Sequence, residues 1–589
     1  HAVVTRNFTR LLSLAPGVHT SIGACNSHQC WVTLSKTARH GASSSSMLID
    51  DPGTMGRPAK PFIVRMGNRQ IQHSTIDREG PSVVQSDYLA HDAIGLAELV
   101  RSREASAREL LDIAISRTEA VNPAINAIVL KDYDAARQRA SLDDANRTNG
   151  ANHADGGSAQ AALAGVPYLI KDLGAAVAGL RMSMGSRHYR HFIPTQDAPV
   201  VALAKTAGLN IFAKTSTSEL GQMPYTEPEL FGACRNPWNL DHTPGGSSGG
   251  AAAAVAAGIV PLAHASDGGG SIRIPASCCG LFGLKPSRGR VPRATPTAAA
   301  GELGIDHAVS RSVRDSALLL DLLSGNADRP LGAPGTFLGA SLEPCKPLNI
   351  AYVTDSMLAP SLSADSRAAL EDAAQLASSL GHNIEPVSLG IDFAAVRHAF
   401  LMLWSVTAEE LVLNADRITG RKPLRDEFEI STWAMAHVGR KLGERGLPGA
   451  LEEQRRITER LTDLLSRYDV LLCATLAGAP IKIGEMQPTS AERMQMRAVT
   501  AMPLEPLLKK LLTEASNKAF AWAGCTELFN LSGQPAMSVP LYWNARGLPV
   551  GVQFAARNGG ETTLLRLAAQ LEAARPWFDK RPPLMQARS

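Results

Sequence analysis

The segment from 244 to 275, PGGSSGGAAAAVAAGIVPLAHASDGGGSIRIP, limits what this chain can fold into more than any other part of it. Glycine loses more conformational freedom on folding than any other residue. Two clusters this dense are sustained only where the backbone must come close to something or take positive φ. The alanines from Ala251 predict a helix over 249–258, with Gly258 just past its C-terminus. Ser247 and Ser248 then stand at the helix N-terminus, where the dipole's partial positive charge favours an alkoxide or another anion. Serine is also among the commonest N-caps, and capping alone would account for such a pair. It does not account for the second cluster. In Gly268-Gly269-Gly270-Ser271, successive backbone N–H groups can face one side and form a nest suited to a tetrahedral oxyanion, with a serine hydroxyl at the same place.

A serine nucleophile needs a base. No histidine is paired with a carboxylate by local sequence, and His242 and His264, the nearest, read equally well as packed or surface residues. The apolar run Val166-Pro167-Tyr168-Leu169-Ile170 predicts a strand that ends at Lys171-Asp172. Burial there would carry the lysine pKa from about 10.4 toward neutrality, because an apolar site penalises the ammonium form.

Composition narrows the setting. With 589 residues, 44% hydrophobic and 19% charged, most of the chain should bury a core. Lys and Arg number 59 against 55 Asp and Glu, a net charge of +4, without the basic excess a phosphate-backbone reader needs, so nucleic acid is not an expected partner. Eight cysteines, two of them the adjacent Cys278 and Cys279 and none in CxxC spacing, read as reduced thiols in a cytoplasm. No HExxH or Cys/His cluster occurs, so neither metal nor cofactor is expected, and no apolar run has membrane-spanning length. The first 65 or so residues differ from the rest, with four serines at 43–46 and no acid before Asp50. They suit a transit-like segment or, better, translation from an upstream start, so residues 1–85 are expected to be a poorly ordered arm ahead of one domain over 86–585.

Along that domain, Ser106 with Glu109 is a capping-box signature opening a helix expected to stop at Asn122-Pro123. Strand-like runs follow at 210–213, 259–263, 348–353, 469–473 and 535–541, with helical segments at 312–324, 364–380 and 561–573. This alternation predicts an α/β fold, a mixed central sheet covered by helices on both faces.

GVPYLIKDL (165–173), AKTSTSELG (213–221), RNPWN (235–239), GGSSGG (245–250), SDGGGSIRIPASCCGLFGLKP (266–286) and NLSGQPAMSVP (530–540) together resemble the amidase signature family of serine hydrolases. The resemblance spans roughly residues 90–585, and the intervals from 171 to 247 and from 247 to 271 match the family's order. It implies that Ser271 is the nucleophile, Ser247 a bridging serine after a cis peptide from Gly246, and Lys171 the general base. It further implies an oxyanion hole of Gly268, Gly269, Gly270 and Ser271 N–H groups, with Ser248, Asp267 and Arg273 supporting the loop. The triplet Gly268-Gly269-Gly270 departs from the family's usual Thr-Gly-Gly or Ala-Gly-Gly, and is expected to loosen the loop. Within the family, Thr226-Glu227-Pro228-Glu229, GACRNPWN (232–239) and Ser431-Thr432-Trp433 are similar to the 6-aminohexanoate cyclic dimer hydrolase branch. That branch's pocket-wall cysteine falls at Ala408. The implied substrate is a small linear or cyclic amide, an anilide or a carbamate, and the resemblance allows a homodimer. Phe231, Trp404 and Trp433 are candidates for an apolar acyl pocket, though aromatic residues more often pack in cores.

Two other hydrolytic readings compete. GSSGG (246–250) fits the nucleophile elbow of α/β-hydrolase esterases, but that elbow directly follows a strand and Asn236 through Pro244 is loop chemistry. A glutamine-amidotransferase A-type subunit working in a complex would carry Arg-Gln-Pro after the nucleophile, whereas this chain has Arg273-Ile274-Pro275.

Overall fold

A computed structural model describes residues 84–148, 161–293 and 302–586, together with three strands nearer the N-terminus. The chain divides into two units, His1–Glu79 and Gly80–Ser589. In the first, β1 (Val18–Ile22), β2 (Gln29–Lys36) and β3 (Ser43–Asp50) pair antiparallel in that order, Val18 opposite Lys36 and Gln29 opposite Asp50. Up to residue 83, the expected arm otherwise falls on residues outside the described ones.

The second unit is an α/β fold around an eleven-stranded mixed sheet. Its strands are β4 (Ile128–Lys131), β5 (Pro167–Lys171), β6 (Asn210–Thr215), β7 (Leu262–Asp267), β8 (Phe282–Lys285), β9 (Ile305–Ser310), β10 (Asn349–Tyr352), β11 (Asn383–Pro386), β12 (Val470–Ala474), β13 (Ala536–Trp543) and β14 (Pro549–Ala556). Their order is β11-β10-β12-β14-β13-β8-β9-β7-β5-β6-β4, parallel at β11-β10-β12 and β7-β5-β6 and antiparallel elsewhere. Every residue of β5, β6, β7, β12 and β14 is buried, as expected of strands covered on both faces.

The helices that matter to the site or to the sequence argument are α1 (Ala107–Ile125), α2 (Gly249–Ala256), α3 (Arg273–Cys279), α4 (Val313–Leu323), α5 (Ala364–Ser379), α6 (Phe393–Val412), α7 (Ile430–Arg467), α8 (Glu505–Ala523), α9 (Leu528–Ser532) and α10 (Glu561–Ala574). The Ser106/Glu109 capping box opens α1, and Ser312 caps α4 by accepting from Asp315 N. No helix among the described residues is long and apolar enough to cross a membrane.

Two sequence boundaries move for identifiable reasons. Helix α1 does not stop at Asn122-Pro123 but continues to Ile125, with Pro123 inside its last turn, where it forfeits a single helical hydrogen bond just before the helix ends. Asn122 holds the exit instead, its Oδ1 accepting from Ala127 N and Ile128 N at 2.8 Å each. The strand expected at 259–263 starts at Leu262. Ile259 is spent on closing α2 in a Schellman motif, its N–H donating to Ala254 O while Gly258, at φ +71°, donates to Val255 O.

Parallel neighbours β5 and β7, with Leu169 opposite Ala263, bring their C-terminal ends to the same end of the sheet. Helix α2 packs against β6 so closely that a Cβ on Gly250 would overlap the backbone of Ser216 and lie 2.7 Å from Ala127 O. Gly250→Ala should therefore cost at least about 3 kcal/mol, since only backbone displacement relieves the overlap. Gly449→Ala, inside α7 with nothing within 4 Å of the added methyl, should instead stabilise by roughly 0.5–1 kcal/mol. Chemical denaturation of the two variants tests the pair, and equal shifts would contradict the packing at Gly250.

Candidate active site

Lys171 ends β5 with no exposed surface. Its Nζ lies 2.8 Å from Ser247 Oγ and 3.0 Å from Ser266 Oγ, so the strand end, the glycine-rich turn and the end of β7 meet at one amine. Burial lowers the Lys171 pKa to about 7; Asp306 and Asp267 oppose that shift and Arg293 adds to it. At neutral pH a large fraction of the amine is therefore uncharged.

Ser247 follows a cis peptide from Gly246. Thr226 locks this turn: its Oγ1 donates to Gly245 O at 2.9 Å and accepts from Gly249 N at 3.1 Å. A Cβ on Gly246 would lie 2.7 Å from the backbone of Tyr225, which is why glycine stands there. Capping does not explain Ser248. It is the N-cap residue of α2 but makes no side-chain cap bond; its Oγ donates to Ser266 O at 3.2 Å and accepts from Ser266 N at 3.3 Å, tying the turn to β7.

The second cluster is organised by Asp267. Its carboxylate accepts from Gly270 N at 2.6 Å, Ile272 N at 3.2 Å, Asn530 Nδ2 at 2.9 Å, and Arg273 Nε at 3.0 Å and Nη2 at 2.9 Å. Burial alone would raise its pKa, but the Arg273 charge and these bonds hold the carboxyl far below the ordinary carboxylate range. Arg273, equally buried, also donates to Thr526 O, Gln553 Oε1 and Asn530 Oδ1 at 2.6–2.8 Å, so its five donors meet five acceptor contacts.

This arrangement corrects two expectations. The Gly270 N–H, expected in the oxyanion nest, is committed to Asp267; those of Gly268, Gly269 and Ser271 have no protein partner among the described residues. The triplet is not loose either. Added Cβ atoms on Gly268 and Gly269 would lie 2.9 Å from Trp404 and 2.8 Å from Phe400, and Gly270 has φ +124° with its would-be Cβ against Thr526. Thr526 Oγ1 further donates to Gly269 O at 2.7 Å.

Ser271, nearly buried, lines a cavity of about 110 Å³ with Gly221, Gly269 and Ile274. Gly221 also approaches Ser247, since a Cβ on it would lie 3.3 Å from Ser247 Oγ. Of the three aromatic candidates only Trp404 lines the cavity, stacked on Phe400. Trp433 packs beside Phe428 and His437, and Phe231 lies away from the cavity in a loop whose carbonyl accepts from Asn126. Ala408 is fully buried in a side cluster with Met182, Met184 and Tyr189.

Sequence reasoning missed Ser266, although it lies within a quoted motif, because nothing local shows that β7 ends beside β5. It also missed the close approach of His264 to Asp306, whose Nε2 and Oδ1 are 3.3 Å apart across β7 and β9 without forming a hydrogen bond. Burial keeps this imidazole neutral, and among the described residues no hydrogen bond links it to Ser247 or Ser271. His242 sits in an isolated bridge with Lys482. No group of histidine, cysteine and carboxylate side chains suited to a metal occurs among the described residues.

Asp267→Asn removes one member of a buried charge pair and leaves the guanidinium uncompensated. It should destabilise the protein by about 3–5 kcal/mol. An unchanged denaturation midpoint would contradict the structural role given to this pair.

Residues 109–565 match the family model described as Amidase. The chain is 34% identical over 512 residues to the 6-aminohexanoate-cyclic-dimer hydrolase of Paenarthrobacter ureafaciens, covering 84% of this chain and 97% of that protein. It is 35% identical over 494 residues to the putative amidase AmiC of Mycobacterium tuberculosis, covering 82% and 95%. Among solved structures it resembles a 6-aminohexanoate cyclic dimer hydrolase complexed with substrate (TM-score 0.73, 33% identity, 84% and 99% covered). It also resembles a bacterial aryl acylamidase of the amidase signature family (TM-score 0.71, 27% identity, 85% and 99% covered). With a family match over most of its length and relatives of this identity covered almost end to end, the chain belongs to the amidase signature family and is an amidase, a hydrolase of carbon–nitrogen bonds.

Proposed function

We propose that this amidase cleaves small amides through a Ser271 nucleophile, a Ser247 relay and Lys171 as general base. The observation that carries the reading is a solvent-excluded amine 2.8 Å from a serine hydroxyl, with its pKa brought down to about 7. In its neutral form Lys171 takes the proton of Ser247, which takes that of Ser271 as its Oγ attacks the amide carbon. Negative charge gathers on the carbonyl oxygen, facing the unpartnered N–H groups of Gly268, Gly269 and Ser271. The carbon–nitrogen bond then breaks, the proton returns along the relay to the leaving nitrogen, and water hydrolyses the ester left on Ser271 by the reverse path.

The substrate reading follows the relatives: a small linear or cyclic amide, among them a 6-aminohexanoate cyclic dimer, an anilide or a carbamate. The amidotransferase alternative is not favoured, because Ile274, where that class would carry glutamine, gives the cavity an apolar wall.

Ser271→Ala should lower amide hydrolysis by about 10⁴-fold or more, and Lys171→Ala should come close to it. Retained activity in the first variant, or failure of an organophosphonate to label Ser271, would end the assignment. The base works only when unprotonated, so kcat/KM should be flat in mild alkali and fall about tenfold per pH unit below a break near 7. A pH profile that rises toward acid would exclude Lys171 as the base.

A further inference from the structure

The cavity beside Ser271 contains a titratable group that the acyl-transfer chemistry does not use. Glu527, 5% exposed, lines it, with its Cγ 3.7 Å from where a Cβ on Gly269 would stand. One carboxyl oxygen, Oε2, accepts from Thr526 N at 3.1 Å. Among the described residues no lysine or arginine forms an ion pair with it. The rings of Phe400, Trp404 and Phe520 line the same cavity, the first two stacked at 5.3 Å and Phe520 set edge-on to Phe400 at 6.1 Å, with the Arg397 guanidinium over one face of Phe520 at 5.2 Å.

An apolar acyl pocket has no need of a carboxyl, and burying one without a cation is costly. A carboxyl and aromatic rings lining one cavity are the chemistry that recognises an organic ammonium: the carboxylate supplies the counter-charge and the ring quadrupoles attract the cation. We infer that Glu527, with Phe400, Trp404 and Phe520, selects substrates whose acyl part carries an amino group, so that the preferred substrates are ω-amino acyl amides. This rests on the reading of Ser271 as nucleophile, because it places the acyl part in that cavity. Burial pushes the Glu527 carboxyl up to about 8 although the Arg273 charge opposes it, and an ammonium docked beside it would release that proton to solvent and form a charge pair.

The test uses ω-aminoalkanamides of three to six carbons, each against the alkanamide of the same length. Calorimetric titration into the full-length Ser271→Ala protein needs no turnover. At least one amine-bearing member should bind tenfold or more tighter than its alkyl counterpart, and adding Glu527→Gln, which keeps the shape, should bring that ratio to near one. Glu527→Met serves the same purpose should the glutamine variant not fold. In the protein with Ser271 intact, the kcat/KM ratio of the matching anilides should collapse in the same way. Equal binding of both series, or a preference that survives loss of Glu527, overturns the inference. If the binding preference depends on Glu527 but neither anilide is cleaved, the nucleophile reading fails and the ammonium site stands.

Discussion

Removing one amine from water is the constraint on which the buried centre around Lys171 depends. A lysine at a sheet end would ordinarily reach solvent as an ammonium. Here β5 is covered on both faces, and Lys171 is met by two serine hydroxyls and no carboxylate in direct contact. Asp306, beside a neutral His264, stands off as a background charge that partly offsets desolvation. The balance leaves the amine near neutrality instead of driving it far below. Were the carboxylate in contact, the lysine would stay charged and could not accept a proton.

The charge that is kept is placed elsewhere. Asp267 and Arg273 form a fully paired unit under the glycine triplet, fixing where Gly270 points and so which N–H groups remain open toward the cavity. The two buried centres divide the work: one stays ionised and sets geometry, the other is neutralised and can move protons.

Much of this was legible because it depends on residue types that have few other uses. Glycine pairs around serines, an apolar run ending in lysine and the Ser106 capping box each carry a local physical reason. What stayed hidden is non-local. Strands β8 and β11 are four residues each, too short to stand out, and β9 carries Asp306 and His307; β14, though mostly apolar, carries Gln553. Gln553 is tolerated in the sheet because Arg273 and the Cys525 carbonyl satisfy its amide, partners that no sequence window contains. Glu527 escaped notice for the same reason. Next to the recognised NLSGQP motif, it reads as an ordinary helix-end acid until the rings of α6 and α8 are set around it.

Because the guanidinium of Arg273 is completed by Thr526, Asn530 and Gln553, a nascent chain has only Asp267 to pair with that cation until residues 253 to 280 positions further along have been made. The loop from Gly268 to Ser271 is thus given its shape in part by residues more than 250 positions further along the chain. A partly made molecule therefore carries Ser271 before the contacts that fix its loop exist.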